Sequence, residues 1–211
     1  MIVILISGGS GSGKTTLAGL LCRYIGSENC LFISQDNYYF DISKESDSFK
    51  KHYNYDIPDA IDFESLVNDV GILKNGGAIK ARKYDFVSKE VRYNAFMITK
   101  DVIVVEGLFS LYDERLMKLS DCSIFIDVSV EVRLERRLTR DVVERGFQAS
   151  EVMKIFNDQV EPMYQKYISN LAERAVLIFK DENLQQMVDR VLCFCKLSGG
   201  EKQYNWNLCN D

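Results

Sequence analysis

Residues 8 to 16 read Gly8-Gly9-Ser10-Gly11-Ser12-Gly13-Lys14-Thr15-Thr16, directly after the apolar run Ile2-Val3-Ile4-Leu5-Ile6 and before a helix-like stretch. The spacing is glycine, four residues, glycine, lysine, hydroxyl residue, in a strand–loop–helix setting. Glycines let successive backbone N–H groups turn inward around a polyphosphate. Lys14 can then reach the β- and γ-phosphates, and the Thr15 hydroxyl is placed to ligate Mg²⁺. A nucleoside triphosphate is the ligand this pattern implies: ATP, with GTP as the alternative.

Two carboxylates end apolar strands. Ser34-Gln35-Asp36-Asn37-Tyr38-Tyr39 closes the second strand, where Asp36 can either take a substrate hydroxyl proton or cap a turn. Asp101-Val102-Ile103-Val104-Val105 runs into Glu106-Gly107, and a carboxylate buried at a strand end costs free energy unless it is paired or coordinates a cation. Glu106 is therefore expected to join Thr15 in the metal shell. From Arg133 to Arg145 a helical pattern carries five arginines in thirteen residues. Arginines at a helix end complement the dipole, but in phosphoryl transfer the same cluster can form a lid that offsets charge on the transferring group.

The elements that must hold these residues are strands at 2–6, 30–33, 102–105, 123–128 and 175–179, alternating with helices at 14–25, 62–74, 112–119, 130–144, 151–172 and 184–196. Continuous apolar strands between helices predict a doubly wound, mainly parallel sheet covered on both faces, a three-layer α/β/α arrangement. Residues 78–99 break the rhythm. They alternate polar and apolar, as in a half-exposed β-hairpin inserted over the substrate site. The expected organisation is one kinase-type domain over 1–196 with a lid at 136–150, followed by a polar tail at 197–211.

With 26 basic and 31 acidic residues the net charge is −5, which argues against a nucleic-acid surface and suits positive charge focused in a cleft. The six cysteines lack paired C-x-x-C spacing and His52 is the only histidine, so zinc is not expected. Cys22, Cys122 and Cys193 lie in apolar segments and are expected to be reduced thiols in or near the core of a cytoplasmic protein. The N-terminal apolar run falls far short of the ~20 residues of a membrane span, and no membrane partner is expected.

Taken together, the phosphate loop, Ser34-Gln35-Asp36, Tyr55-Asp56-Ile57-Pro58-Asp59-Ala60-Ile61-Asp62, Tyr84-Asp85-Phe86, Glu106-Gly107, Arg140-Asp141 and Glu144-Arg145-Gly146 closely resemble the uridine kinase (uridine–cytidine kinase) family of P-loop kinases, over residues 1 to 195. The resemblance implies ATP-dependent phosphorylation of the 5′-hydroxyl of uridine or cytidine, a step of pyrimidine salvage. It makes Asp36 the catalytic base and Asp62 the holder of the ribose hydroxyls. Tyr39, Tyr84 and Phe86 would enclose the nucleoside, Arg137 would contact substrate, and Arg140 and Arg145 would meet phosphates from the lid. It also implies a homo-oligomer, tetramer or dimer.

Three positions depart from the family pattern: Lys89 stands where His is usual, Ile61 where Phe is usual, and Phe147 where Arg is usual. All three bear on the acceptor. Lys89 can donate to a pyrimidine carbonyl but cannot accept as neutral His can. A P-loop kinase acting on another hydroxylated metabolite, such as pantothenate, a sugar phosphate or nicotinamide riboside, is the alternative. A GTP-binding switch would need an Asn/Thr-Lys-x-Asp run, which is absent. Leu197-Ser198-Gly199-Gly200-Glu201-Lys202-Gln203 looks like the signature of transporter ATPases, but it follows Glu106 by about ninety residues instead of preceding it, and reads as a helix-ending glycine pair.

Overall fold

A computed structural model describes residues 1–180 and 182–198. The expected polar tail, and the transporter-like run from Gly199 on, lie outside the described residues. Strand β1 (Ile2–Gly8) leads through the glycine loop into α1 (Lys14–Ile25), and β2 (Cys30–Ser34) into a 3₁₀ turn at Gln35–Tyr38. Helices α2 (Asp47–His52) and α3 (Phe63–Lys74) precede the hairpin of β3 (Ala78–Asp85) and β4 (Glu90–Ile98). The chain then forms β5 (Val102–Glu106), α4 (Glu114–Leu119), β6 (Cys122–Ile126) and α5 (Val130–Val143). A helical run follows: α6 (Ala149–Ile155), a π turn, α7 (Glu161–Met163), a second π turn and a 3₁₀ segment ending at Arg174. Strand β7 (Leu177–Phe179) and α8 (Leu184–Ser198) complete the described chain.

The five sheet strands are parallel in the order β2-β5-β1-β6-β7, with Ile6 opposite Glu106 and Gly8 opposite Ile126. Successive strand side chains go to opposite faces. Val3, Leu5, Ile103, Val105 and Phe125 thus pack against α3, α4 and the helical run through Leu66, Leu116, Ile168 and Leu171. On the other face Ile4, Ile6, Val104 and Ile124 meet Leu17 and Leu21 of α1 and Val188 and Val191 of α8. This is the doubly wound, three-layer arrangement that the uninterrupted apolar strands required. From β1 the chain crosses to β2 on one side, and from β5 it crosses over β1 to β6 on the other. The ends of these strands therefore form the crevice where such sheets bind ligands.

Several boundaries differ from expectation for local reasons. The helix expected over 151–172 is broken by two π turns around Pro162, which has no N–H to donate and crowds the carbonyl one turn back. Helix α4 starts at Glu114 because Asp113 caps it, accepting from the N–H groups of Arg115 and Leu116. Strand β6 ends at Ile126, and the last strand is only Leu177–Phe179. Helix α2 carries no buried residue, hence no apolar stripe to reveal it. Cys122 is buried and Cys22 half-buried, but Cys193 is exposed, because the turn of α8 that buries Val191, Leu192 and Cys195 directs it outward.

Phe125 has no exposed surface and sits under the helical run. Phe125→Ala is expected to destabilise the fold by about 3–5 kcal/mol in urea unfolding. A loss under about 1 kcal/mol would show that this face is not close-packed.

Candidate active site

The phosphate loop owes its shape to glycine at two points. Gly11 (φ 81°) and Gly13 (φ 103°) occupy the left-handed region, and a Cβ on Gly11 would lie 2.4 Å from the Arg133 carbonyl oxygen of α5. Gly13 begins α1 without a side-chain cap, so the first N–H groups of that helix remain available to an anion. Lys14 is buried and donates to the Gly9 carbonyl at 2.8 Å. Burial lowers its pKa, while Glu106 and Asp36 act in the opposite direction. The Ser12 hydroxyl is buried with no hydrogen-bond partner among the described residues. An inward-turned backbone, an ammonium and an orphaned hydroxyl fit a triphosphate.

Glu106 is 4 % exposed at the end of β5. It accepts from Thr15 Oγ1 at 3.2 Å and Ser34 Oγ at 2.9 Å, two neutral donors for a carboxylate with about four acceptor positions. Hydroxyl and carboxylate oxygens side by side are the donor set Mg²⁺ takes beside phosphates, so Thr15 and Glu106 fit the expected metal shell. Thr16 is exposed one residue further along α1. The neutral clamp from Ser34 was not foreseen.

Asp36 stands on the 3₁₀ turn after β2, where water reaches it although protein crowds it from the other sides. That crowding and repulsion from Glu106 push its carboxyl up to about 6, against the pull of Lys14. Its neighbour Gln35 is fixed by a bond from Phe109 N–H to Oε1 at 2.8 Å, which anchors the turn to the segment after β5. Asp56 lies within electrostatic reach of Asp36, Lys14 and Arg137. Asp56 received no role from the sequence. Burial raises its pKa, and Gln159 Nε2, from the first π turn, donates to it at 3.0 Å while also donating to Asn54 at 2.9 Å. Gln159 lies outside every recognised segment, and only the folded chain brings it here.

Asp62 is engaged elsewhere. Oδ1 accepts from Ser65 N–H at 3.0 Å to cap α3, and Oδ2 accepts from Ser65 Oγ and from Arg82 Nη1, each at 2.7 Å. Burial would raise its pKa, but these bonds outweigh it and hold the carboxyl below the usual range. Three donors already occupy the group expected to hold ribose. Arg82 Nη2 donates to the Tyr39 carbonyl at 3.1 Å, so Asp62 supports the aromatic wall through it.

Tyr39, Tyr84 and Phe86 come together as expected, with ring centroids 5.1–5.8 Å apart, and Tyr55 joins them 4.9 Å from Tyr39. The Lys89 ammonium lies 5.0 Å from the Tyr55 ring centroid. Lys89 is the one non-glycine residue with positive φ (61°) among the described residues, at the hairpin turn. A separate cavity of about 330 Å³ between α3 and the hairpin, lined by Ser65, Asp69, Arg82 and Tyr93, contains none of Lys14, Asp36 or Glu106.

Helix α5, which carries most of the arginines, reaches the phosphate loop directly. Arg137 Nη1 donates to Ser10 Oγ at 2.8 Å and Arg136 Nη1 to the Ser12 carbonyl at 3.1 Å. Arg140 and Arg145 stand beside Asp141 at 2.8 and 3.1 Å.

This arrangement of loop, strand-end carboxylates and basic helix on a parallel sheet is that of the P-loop kinases. Among solved structures the fold matches a possible uridine kinase from Bacillus stearothermophilus (TM-score 0.59, 19 % identity, 84 % of this chain and 88 % of that one) and phosphoribulokinase from Rhodobacter spheroides (TM-score 0.60, 16 % identity, 85 % and 69 %). The profile of the Phosphoribulokinase / Uridine kinase family matches residues 3–187, and the chain belongs to that family. It is 36 % identical over 182 residues to a uridine kinase of Halalkalibacterium halodurans, covering 85 % of this chain and 86 % of that protein. With a uridine kinase of Clostridium perfringens the identity is 35 % over 181 residues, 85 % and 87 % of the two chains. Uridine-cytidine kinase A of Dictyostelium discoideum is 36 % identical over 183 residues, 84 % of this chain but only 35 % of that longer protein. The chain is a kinase. No helix among the described residues is long and apolar enough to cross a membrane.

A base raised to about 6 is protonated and idle below that pH. The acceptor-dependent kcat/KM is therefore expected to rise through about pH 6 and level off above it. Asp36→Asn should lower turnover ~10²-fold or more and remove that limb while ATP still binds. An unchanged pH profile in this variant would take Asp36 out of the reaction.

Proposed function

We propose that the chain transfers the γ-phosphoryl group of ATP to the 5′-hydroxyl of a pyrimidine ribonucleoside, making UMP or CMP from uridine or cytidine in the cytoplasm, a salvage reaction. The observation that carries this reading is the juxtaposition of Asp36, raised to about 6, with Lys14 on one side and the Tyr39, Tyr55, Tyr84 and Phe86 rings on the other. That pairing supplies a proton acceptor between a phosphate cradle and a surface for a planar base.

In this mechanism the loop N–H groups and Lys14 bind the triphosphate, with GTP the alternative donor. Mg²⁺, held by Thr15 and Glu106, would withdraw charge from the phosphate oxygens. Asp36 orients the acceptor hydroxyl and takes its proton as the phosphoryl group passes in line, while Arg140 and Arg145 stabilise charge on the equatorial oxygens. Arg137, close to both Ser10 and Asp56, lies between phosphate and acceptor. Lys89 donates to a carbonyl of the base. The ribose role moves from Asp62 to Asp56, because Asp56 shares the field of Asp36 and Arg137 whereas Asp62 is already engaged by Ser65 and Arg82.

A screen of nucleosides and small alcohols for stimulated ATP consumption, with product mass determined, tests the reading. Uridine or cytidine should be converted and Lys14→Ala should abolish the reaction. Conversion of a sugar phosphate, pantothenate or nicotinamide riboside alone would favour the metabolite-kinase reading instead.

The ribose assignment has its own test. Ribonucleosides should exceed 2′-deoxyribonucleosides by ~10²-fold in kcat/KM, because a missing hydroxyl leaves the buried carboxylate unpaired. Asp56→Asn should shrink that ratio. Asp62→Ala should instead lower stability by about 1 kcal/mol or more, from the lost cap and the unpaired Arg82, and leave the ratio unchanged. The opposite pattern would return the ribose to Asp62.

A further inference from the structure

Arginines gathered to meet a transferring phosphoryl group repel one another until the anion arrives. At this helix end Arg137, Arg140 and Arg145 all pair with the same carboxylate, Asp141, while Arg137 also feels Asp56. The Asp141 Oδ1 accepts from Arg140 Nε at 2.8 Å and forms an ion pair with Arg145 Nη1 at 3.1 Å, and Oδ2 lies 3.3 Å from Arg137 Nε. The Asp141 side chain is 5 % exposed, whereas those of Arg140 and Arg145 are 35 % and 53 % exposed. The carboxylate is thus the fixed centre, and the guanidiniums extend from it toward solvent.

Backbone geometry closes the turn around it. Helix α5 ends at Val143, Gly146 takes the left-handed conformation (φ 72°), and Phe147 N–H donates back to the Asp141 carbonyl at 3.1 Å. Arg145 is thereby held against the same carboxylate as Arg137 and Arg140. Arg137 also donates to Ser10 of the phosphate loop at 2.8 Å, which ties the cluster to the place where a triphosphate sits. Three guanidiniums on one carboxylate leave an excess of two positive charges, with most of their N–H donors uncommitted.

We propose that Asp141 is a positioning residue for phosphoryl transfer: it holds Arg137, Arg140 and Arg145 as one preorganised cationic cluster at the phosphate loop. It touches no substrate and acts only through the arginines. The inference rests on the proposed phosphoryl transfer. Were Asp141 merely an ion-pair partner that stabilises the helix end, its removal would cost stability and leave the function of each arginine independent of it.

The test is a double-mutant cycle in the full chain with Asp141→Asn, Arg145→Ala and the double variant, and Asp141→Glu as the conservative replacement. Asp141→Asn is expected to lower kcat by ~10²-fold and ATP affinity by about 10-fold, with the acceptor KM changed less than about 3-fold. Asp141→Glu should recover much of the kcat. The double variant should be no worse than about 3-fold below the more damaged single variant, since the two residues act as one unit. Wild-type kcat in Asp141→Asn, fully multiplicative losses, or no recovery in Asp141→Glu would overturn the proposal. If Asp141→Asn does not fold, the cycle is run with Asp141→Ser, which also removes the charge, under the same additivity criterion. ATP binding measured by calorimetry needs no acceptor. Failure of every nucleoside as substrate would therefore sink the functional reading while the binding cycle still decides the role of Asp141.

Discussion

A carboxylate buried at the end of the central parallel sheet is the constraint on which the rest of the site depends. Glu106 has only two hydroxyl donors, from Thr15 and Ser34, and a buried charge so lightly solvated is tolerable only where a cation completes it. The flanking strands are in register with it, Ile6 on one side and Ser34 on the other, so the charge lies where the phosphate loop leaves β1 and the 3₁₀ turn leaves β2. Burial acts most strongly on Lys14 and Asp36, and Glu106 acts next, holding the first closer to its charged form and pushing the second toward its neutral form.

The positive side of the site is organised from behind. Arg133, 2 % exposed, pairs with Glu161 at 2.8 Å, lies 3.8 Å from the Tyr164 ring centroid, and presents its carbonyl to the space that only a glycine at position 11 leaves free. Truncating a buried, paired arginine leaves an uncompensated charge, typically costing several kcal/mol, so this contact fixes the register of α5 against the phosphate loop. One helix then carries the back wall of the cradle and, one and two turns later, Arg137 and Arg140, with Arg145 just past its end. The helical run that supplies Glu161 and Tyr164 also carries Gln159 to Asp56. The back of the phosphate loop and Asp56 therefore share a single backing element.

What the sequence made legible were features written in consecutive residues. The glycine loop, the strand-end Glu106, the alternation of the hairpin and the arginine-rich helix each declare themselves within a dozen residues, because backbone freedom, side-chain period and charge density are local properties. The doubly wound sheet followed from uninterrupted apolar strands. Roles set by long-range pairing were hidden. Asp62 and Asp56 are both acidic residues in one short segment, and nothing local says that Arg82, twenty residues on, will claim one of them and Gln159, more than a hundred on, the other. Asp141 likewise reads as one more helical charge until three arginines are seen around it.

The departures at Ile61, Lys89 and Phe147 look different once placed. Ile61 is 4 % exposed within the main core, its backbone bridged to Tyr39, so an aliphatic side chain there fills the core while Tyr39, Tyr55, Tyr84 and Phe86 provide the aromatic surface. Phe147 is largely exposed and contributes its N–H to the lid turn, a function of the backbone that does not depend on its side chain. Only Lys89 puts changed chemistry against the rings, a cation beside Tyr55 where a neutral imidazole would both donate and accept. Under the proposed function that side chain would favour acceptors presenting a carbonyl or other electron-rich edge. On the proposed reading, selection of the acceptor would rest on a hairpin turn separate from the phosphate loop, Glu106 and the arginines of α5, so the acceptor could change with little disturbance to them.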